Sequence, residues 1–328
     1  MSPRRQSATT TTTMEKRTTK KPSTEVKITA YGCTDVGVVR TNNEDNFLLA
    51  DLAAGAAINI EDLNQKVSKR GSLLIISDGM GGAQAGEVAS AMAVAAVRNE
   101  LIKSVASRPA AEQLAKAVQK ANYLIWKESQ DNPAKAGMGA TLTATLVREN
   151  KAYIAEVGDS RAYLIRSGEI LQVTTDQSLV ELLIIAGELS REEAEHAPIK
   201  NVILQAMGTQ PEVKLELKAV ALRRGDYLLL CSDGLSNKVT DAEMIKFTLK
   251  ASSLEMACKQ LVELAKRRGG EDNITVIIGQ FDGEGLAAES ESANFNMDIK
   301  TLISFYPTLD EDTQKDARTQ QLIDPKRL

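Results

Sequence analysis

Four short acidic turns sit where apolar runs begin or end. The run Leu73-Leu74-Ile75-Ile76 closes on Ser77-Asp78-Gly79, and Tyr227-Leu228-Leu229-Leu230-Cys231 closes on Ser232-Asp233-Gly234. Asp272-Asn273 precedes Ile274 to Ile278, and Asn43-Glu44-Asp45-Asn46 precedes Phe47 to Ala50. Each alone is an ordinary turn, because Asp, Asn and Gly are the residues turns use. Their combination asks for more. Carboxylates gathered at one rim repel one another unless a cation lies between them. Carboxylate oxygens suit hard ions such as Mg2+ or Mn2+. At Gly79 the missing side chain lets a backbone carbonyl approach such an ion. Arg40 stands shortly before Asp45 and offers a planar fork for a pair of phosphate oxygens; its alternative is a surface salt bridge. The chemistry this set allows is metal-assisted phosphoryl transfer.

Positioning these groups falls to short β-branched and apolar runs. They are read as strands at Val26 to Ile28, Phe47 to Ala50, Leu73 to Ile76, Leu142 to Val147, Ala152 to Val157, Ala162 to Ile165, Val213 to Val220, Tyr227 to Leu230 and Ile274 to Ile278. Strand character is also expected through Thr34 to Phe47, running straight into the acidic turn. Helical spacing covers Ala85 to Ala106 and Ala110 to Ser129, then Asp176 to Ala186, Arg191 to His196, Asp241 to Leu249 and Ser253 to Arg267. Thr240 or Asp241 can cap the fifth of these, with Glu243 close behind. The helices come in groups between sets of strands instead of alternating with them. That pattern predicts an α+β fold, a β-sandwich of two antiparallel sheets with helix pairs outside it.

Residues 1–25 are rich in Thr, Ser, Lys and Arg and read as a disordered basic tail. Strand signal stops after Asp282, so 283–328 is expected to be a linker over Gly283 to Asn294, a short apolar patch at Ile299 to Tyr306 and then an acidic tail. Thr9 to Thr13 and Thr308 or Thr313 are expected targets of a serine/threonine kinase. A net charge of -4 is too mild to suggest nucleic-acid binding. No apolar stretch is long enough to span a membrane. Three widely spaced cysteines, Cys33, Cys231 and Cys258, argue against a disulfide framework and fit the cytoplasm. The single histidine, His196, excludes a His-rich metal site.

The order of these segments resembles the metal-dependent protein phosphatase family, the type 2C serine/threonine phosphatases, in its bacterial branch. The matching stretches are Arg40 to Phe47 (RTNNEDNF), Ser77 to Gly82 (SDGMGG), Met138 to Thr143 (MGATLT), Val157 to Arg161 (VGDSR), Ser232 to Leu235 (SDGL) and Glu271 to Val276 (EDNITV). They span about Ile28 to Phe281. The resemblance implies a four-layer α-β-β-α sandwich over 26–282, with a flap at about 176–209. It implies metal ligation by Asp45, Asp78, the Gly79 carbonyl, Asp233 and Asp272, with Asp78 bridging two principal ions and Glu44 acting through a water. Asp159, in the GDSR segment, matches a ligand of a third, weaker ion; the alternative is a tight turn between strands. Arg40 would bind the substrate phosphate. The implied reaction is Mn2+- or Mg2+-dependent hydrolysis of phosphoserine and phosphothreonine in proteins, opposing a bacterial kinase, by a monomer.

Two positions depart from the bacterial pattern. Ala83 and Gln177 stand where relatives often carry histidine, which puts proton delivery and substrate choice in question. His196 falls in the flap and is expected to be a surface residue. A nucleophilic Cys231 is the competing mechanism, but the carboxylate of Asp233 beside it would raise its pKa. A catalytically idle module and a metal-stabilised structural domain are the other readings; both would bind metal without turnover.

Overall fold

The computed structural model describes residues 24–54, 61–81, 85–105, 107–195, 197–288 and 295–306. In chain order the first half contains β1 (Lys27–Asp35), β2 (Asp45–Asp51), β3 (Asp62–Lys66), β4 (Ser72–Met80), α1 (Ala85–Lys103), α2 (Ala110–Asp131), β5 (Gly139–Ala140), β6 (Leu142–Arg148), β7 (Lys151–Val157), β8 (Arg161–Arg166) and β9 (Glu169–Gln172). The second half contains α3 (Leu179–Ile185), α4 (Arg191–Glu195), β10 (Glu216–Ala221), β11 (Tyr227–Cys231), α5 (Asp233–Ser236), α6 (Asp241–Lys250), α7 (Leu254–Arg267), β12 (Ile274–Asp282), α8 (Phe295–Asp298) and β13 (Ile299–Ile303).

One sheet runs β3-β1-β12-β11-β8-β9 and the other β13-β10-β7-β6-β4-β2, with β5 attached to β4. Every strand pair is antiparallel. The central strands read as continuous apolar runs because both of their faces are covered. In β4, Leu74 and Ile76 face the opposite sheet, while Leu73 and Ile75 pack under α1 and α2. In β11, Leu228 and Leu230 join the layer between the sheets, while Leu229 and Cys231 face α7. Alternation of side chains along a strand makes this division automatic. The four-layer α-β-β-α sandwich expected from the sequence is therefore present.

Several expectations change. The Thr34 to Phe47 stretch is not one strand: β1 ends at Asp35, and an irregular, bent stretch leads to β2 at Asp45. Strand β10 starts at Glu216, not Val213. The flap helix starts at Leu179, not Asp176, because the Ser178 hydroxyl accepts the Glu181 N–H and caps it there. Thr240 does mark the start of α6: its N–H and hydroxyl both donate to the Glu243 carboxylate.

The largest correction concerns 283–288 and 295–306, expected to be linker, apolar patch and tail. Strand β13 pairs with β10 along Leu217 to Val220 and extends the sheet. Asp298, just before it, accepts from Arg166 at 2.6 Å and from Arg223 at 2.8 Å. Arg166 is only 2% exposed and also pairs with Asp226. The segment is thus held by strand pairing, by Leu286, Phe295 and Ile299 packing against the layer between the sheets, and by these charges, which an apolar-pattern reading does not register. The threonines expected as kinase targets, Ala83 and His196 lie outside the described residues. No described helix is long and apolar enough to cross a membrane.

Candidate active site

The acidic turns converge at one end of the sandwich. Asp45 opens β2 and is the direct register partner of Asp78 near the end of β4, so both side chains leave the sheet on the same face. Asp233 and Asp272 come from the other sheet, just after β11 and just before β12. Asp159 follows β7 on the tight turn into β8. Arg40, Glu44, Asp78, Gly79, Asp159, Asp233 and Asp272 line one open cavity of about 460 Å3. Asp45 lies beneath it and is 5% exposed.

Neutral polar side chains fix this arrangement. The hydroxyls of Ser232 and Thr275 both donate to Asp45 Oδ2, at 2.8 and 2.6 Å. Asn273 accepts the Glu44 N–H and donates to the carbonyls of Val36 and Asn42, which ties the Arg40 loop to β12. Thr141 accepts the Asp78 N–H and shares a hydrogen bond with Ser160, linking the Asp78 and Asp159 turns. Ser90 on α1 donates to the Glu44 carbonyl. Most of these residues lie inside the sequence motifs, where their own types and spacing assign them no ligand role. Their signal was a hydroxyl or amide at the end of an otherwise apolar strand.

At Gly79 the backbone is crowded. Its N–H donates to the Glu44 carbonyl, and a Cβ there would stand 2.1 Å from the Gly86 carbonyl. The start of α1 can abut β4 only because residue 79 has no side chain.

The electrostatics are those of a cation trap, a cluster of carboxylates only partly offset by Arg161 and Arg40. Burial raises Asp45 to about 7, helped by the charges of Asp233 and Asp272 and opposed by its two hydroxyl donors. Asp78 is pushed well up by burial and by Asp45, Asp233 and Asp159. Asp159 is pushed up to about 7 by burial, Asp233 and Asp176. Asp233 is raised by burial and Asp272. Among the described residues, Oδ1 of Asp45 and Oδ1 of Asp233 are buried without a hydrogen-bond partner. Unpaired buried oxygens among mutually repelling carboxylates fit bound cations. Among the described residues no three carboxylates or thiols close around one point as a finished cage. An open donor set suits a small hard ion that keeps several waters.

Arg40 sits at the rim, with Nη2 3.0 Å from Asp272 Oδ2. Cys231 is not a competitor as nucleophile: its thiol is fully buried and pushed up to about 12. The main cause is burial, with the Asp233 carboxylate a lesser one. Gln177 is buried with its amide committed, accepting the Gly158 N–H and donating to the Glu156 carbonyl. It braces the turn before Asp159 and is spent as far as proton delivery is concerned.

Comparison with known proteins agrees with this geometry. Residues 58–267 match the family model described as Protein phosphatase 2C. The serine/threonine phosphatase stp of Listeria monocytogenes is 37% identical over 252 residues, covering 76% of this chain and 94% of that protein. The crystal structure of the Mycobacterium tuberculosis serine/threonine phosphatase PstP/Ppp superposes with a TM-score of 0.67 at 35% identity, over 77% of this chain and 98% of that one. A PstP catalytic domain solved in complex with two manganese ions gives 0.65 at 33% identity, over 79% and 100%. The chain belongs to the protein phosphatase 2C family.

Proposed function

We propose that this protein hydrolyses phosphoserine and phosphothreonine in proteins with divalent cations held at the aspartate cavity, and that residues 26–282 carry the chemistry. The observation that carries the proposal is the convergence of Asp45, Asp78, Asp233 and Asp272 from both sheets, with two buried carboxylate oxygens unpaired. Asp45, Asp78, the Gly79 carbonyl, Asp233 and Asp272 would hold two ions, Mn2+ or Mg2+, and Glu44 would act through water. Asp159, at the cavity edge shared with the flap, would hold a third. Bound there, such ions supply an activated water and neutralise charge on the phosphoryl oxygens.

The chain's own residues do the rest. Ser232 and Thr275 aim Asp45 and favour its ionised form against its burial, by donating to one of its oxygens. Arg40 keeps N–H donors beyond the one on Asp272 and presents them where a phosphate would enter. The cavity shares Asp159, Asn201 and Asp233 with a neighbouring groove of about 750 Å3 between the flap and the start of α6. A peptide carrying the phosphoamino acid can lie in that groove. The physiological setting we propose is cytoplasmic, as a monomer opposing a serine/threonine kinase; the described cysteines are all free, which suits a reducing compartment. Phosphate release from an aryl phosphate tests the metal dependence: it should stop with EDTA and return with Mn2+, and hydrolysis that survives the chelator refutes it.

A further inference from the structure

The flap leaves the sandwich through a narrow neck. Leu179 N–H donates to the Val202 carbonyl, and Leu204 N–H donates to the Gln177 carbonyl at 2.7 Å. Ser178 and Ile203 face each other as an isolated bridge. The outgoing limb, 176–178, also carries the clamp on Asp159's turn: Gln177 N–H and side chain both bond to Gly158. The returning limb places Asn201 and Ile203 on the wall of the aspartate cavity. Whatever fixes the neck therefore fixes one wall of the site.

A residue far along the chain reaches this neck. Tyr306 is 8% exposed, and its hydroxyl donates to the Asp176 carbonyl at 2.8 Å and lies 3.3 Å from the Ser178 carbonyl. These two carbonyls flank Gln177. Tyr306 arrives there because the preceding segment is anchored twice. Asp298 completes a cluster of two guanidiniums and two carboxylates with Arg166, Arg223 and Asp226. Residues 299–303 then pair with β10. The family match ends at residue 267, well before this segment.

We propose that Tyr306 is a positioning residue that locks the flap neck, and through it holds the Asn201 and Ile203 wall in place for a phosphopeptide. The segment after β12 is then a working part of the site and not an appendage. The consequence for substrates rests on the phosphatase reading; the lock itself does not.

Tyr306→Phe removes only the hydroxyl and keeps the ring. Hydrogen–deuterium exchange on the full chain should show residues 176–204 exchanging about three- to tenfold faster, with β10 and β11 as in the parent. With Mn2+ present, KM for a phosphothreonine peptide should rise about threefold or more while kcat changes less. Exchange at the neck equal to the parent's would overturn the proposal. So would an equal acceleration in β10 and β11, which marks general loosening. Faster neck exchange in a protein that turns over no phosphopeptide would uphold the lock and defeat the phosphatase reading instead.

Discussion

Asp45 and Asp78 stand directly opposite each other across the β2–β4 ladder, two carboxylates on one face, and the charge of Asp45 raises Asp78 further above its ordinary value than burial alone does. A folded protein keeps such a pair only if something outside the chain compensates it, or if a proton does. Neutralising one member should therefore separate stability from activity. Asp78→Asn is expected to raise the melting temperature of the chelated protein by about 2–4 °C, equivalent to ~1 kcal/mol of relieved repulsion. The same substitution should lower turnover by at least about a thousandfold. A melting curve in EDTA beside an aryl phosphatase assay checks both, and a variant that is less stable as well as inactive would contradict the argument.

The pH dependence follows from the same groups. In the metal-free protein Asp45 and Asp159 sit at about 7, above their ordinary value of 3.8. The folded state then holds protons that the unfolded chain gives up above about pH 4. Their contribution to stability is full below pH 4 and is lost as the pH climbs to about 7. The chelated protein should melt at progressively lower temperature from pH 5 to 7.5. Added Mn2+ should flatten that decline, with its stabilising increment growing with pH. Scanning calorimetry across the range with and without the ion is the check; an increment independent of pH would count against it.

How much of this was legible in the sequence depended on burial. The acidic turns could be read because they interrupt apolar runs buried on both faces, so Asp78 and Asp233 stand out against Leu73 to Ile76 and Leu228 to Leu230. Edge strands gave no such contrast. Strand β3 (DLNQK) buries only Leu63, and in β13 residues 300–303 are exposed, so neither shows the alternation a half-buried strand would. Asp298 reads as one more charge of an acidic tail because nothing local reveals that its partner, Arg166, is 132 residues away and buried. In the sequence Gln177 stands only as a departure from histidine, whereas its bonds to Gly158 and Glu156 are tertiary and leave no trace in the pattern.

Asp298 gives a prediction that is independent of catalysis. Asp298→Ala leaves the almost wholly buried Arg166 with Asp226 and takes away the carboxylate that the Arg223 guanidinium pairs with. The loss should be about 2–4 kcal/mol, as for other buried pairs deprived of one partner. Urea unfolding would show it as a lower midpoint; an unchanged midpoint would mean that the segment contributes nothing to the fold.

Arg40 should matter for phosphate and hardly at all for folding. Its pair with Asp272 is 53% and 40% exposed, so the bond adds little stability. Arg40→Ala is expected to raise KM for a phosphopeptide about tenfold, and Arg40→Lys to recover only part of that because a point charge replaces the fork. Steady-state kinetics on the three proteins decide it. Full recovery by lysine would show that charge alone is used there.

The central claim is that the aspartate cavity works as a divalent-cation site for phosphoprotein hydrolysis. Phosphate release from a phosphothreonine peptide, measured on the full chain with and without Mn2+, tests it most directly. The account predicts turnover that requires the ion, is abolished by EDTA, and is lost in Asp45→Asn and Asp233→Asn. Turnover equal in the presence of chelator, or Mn2+ binding at this cavity with no phosphate released, would contradict it.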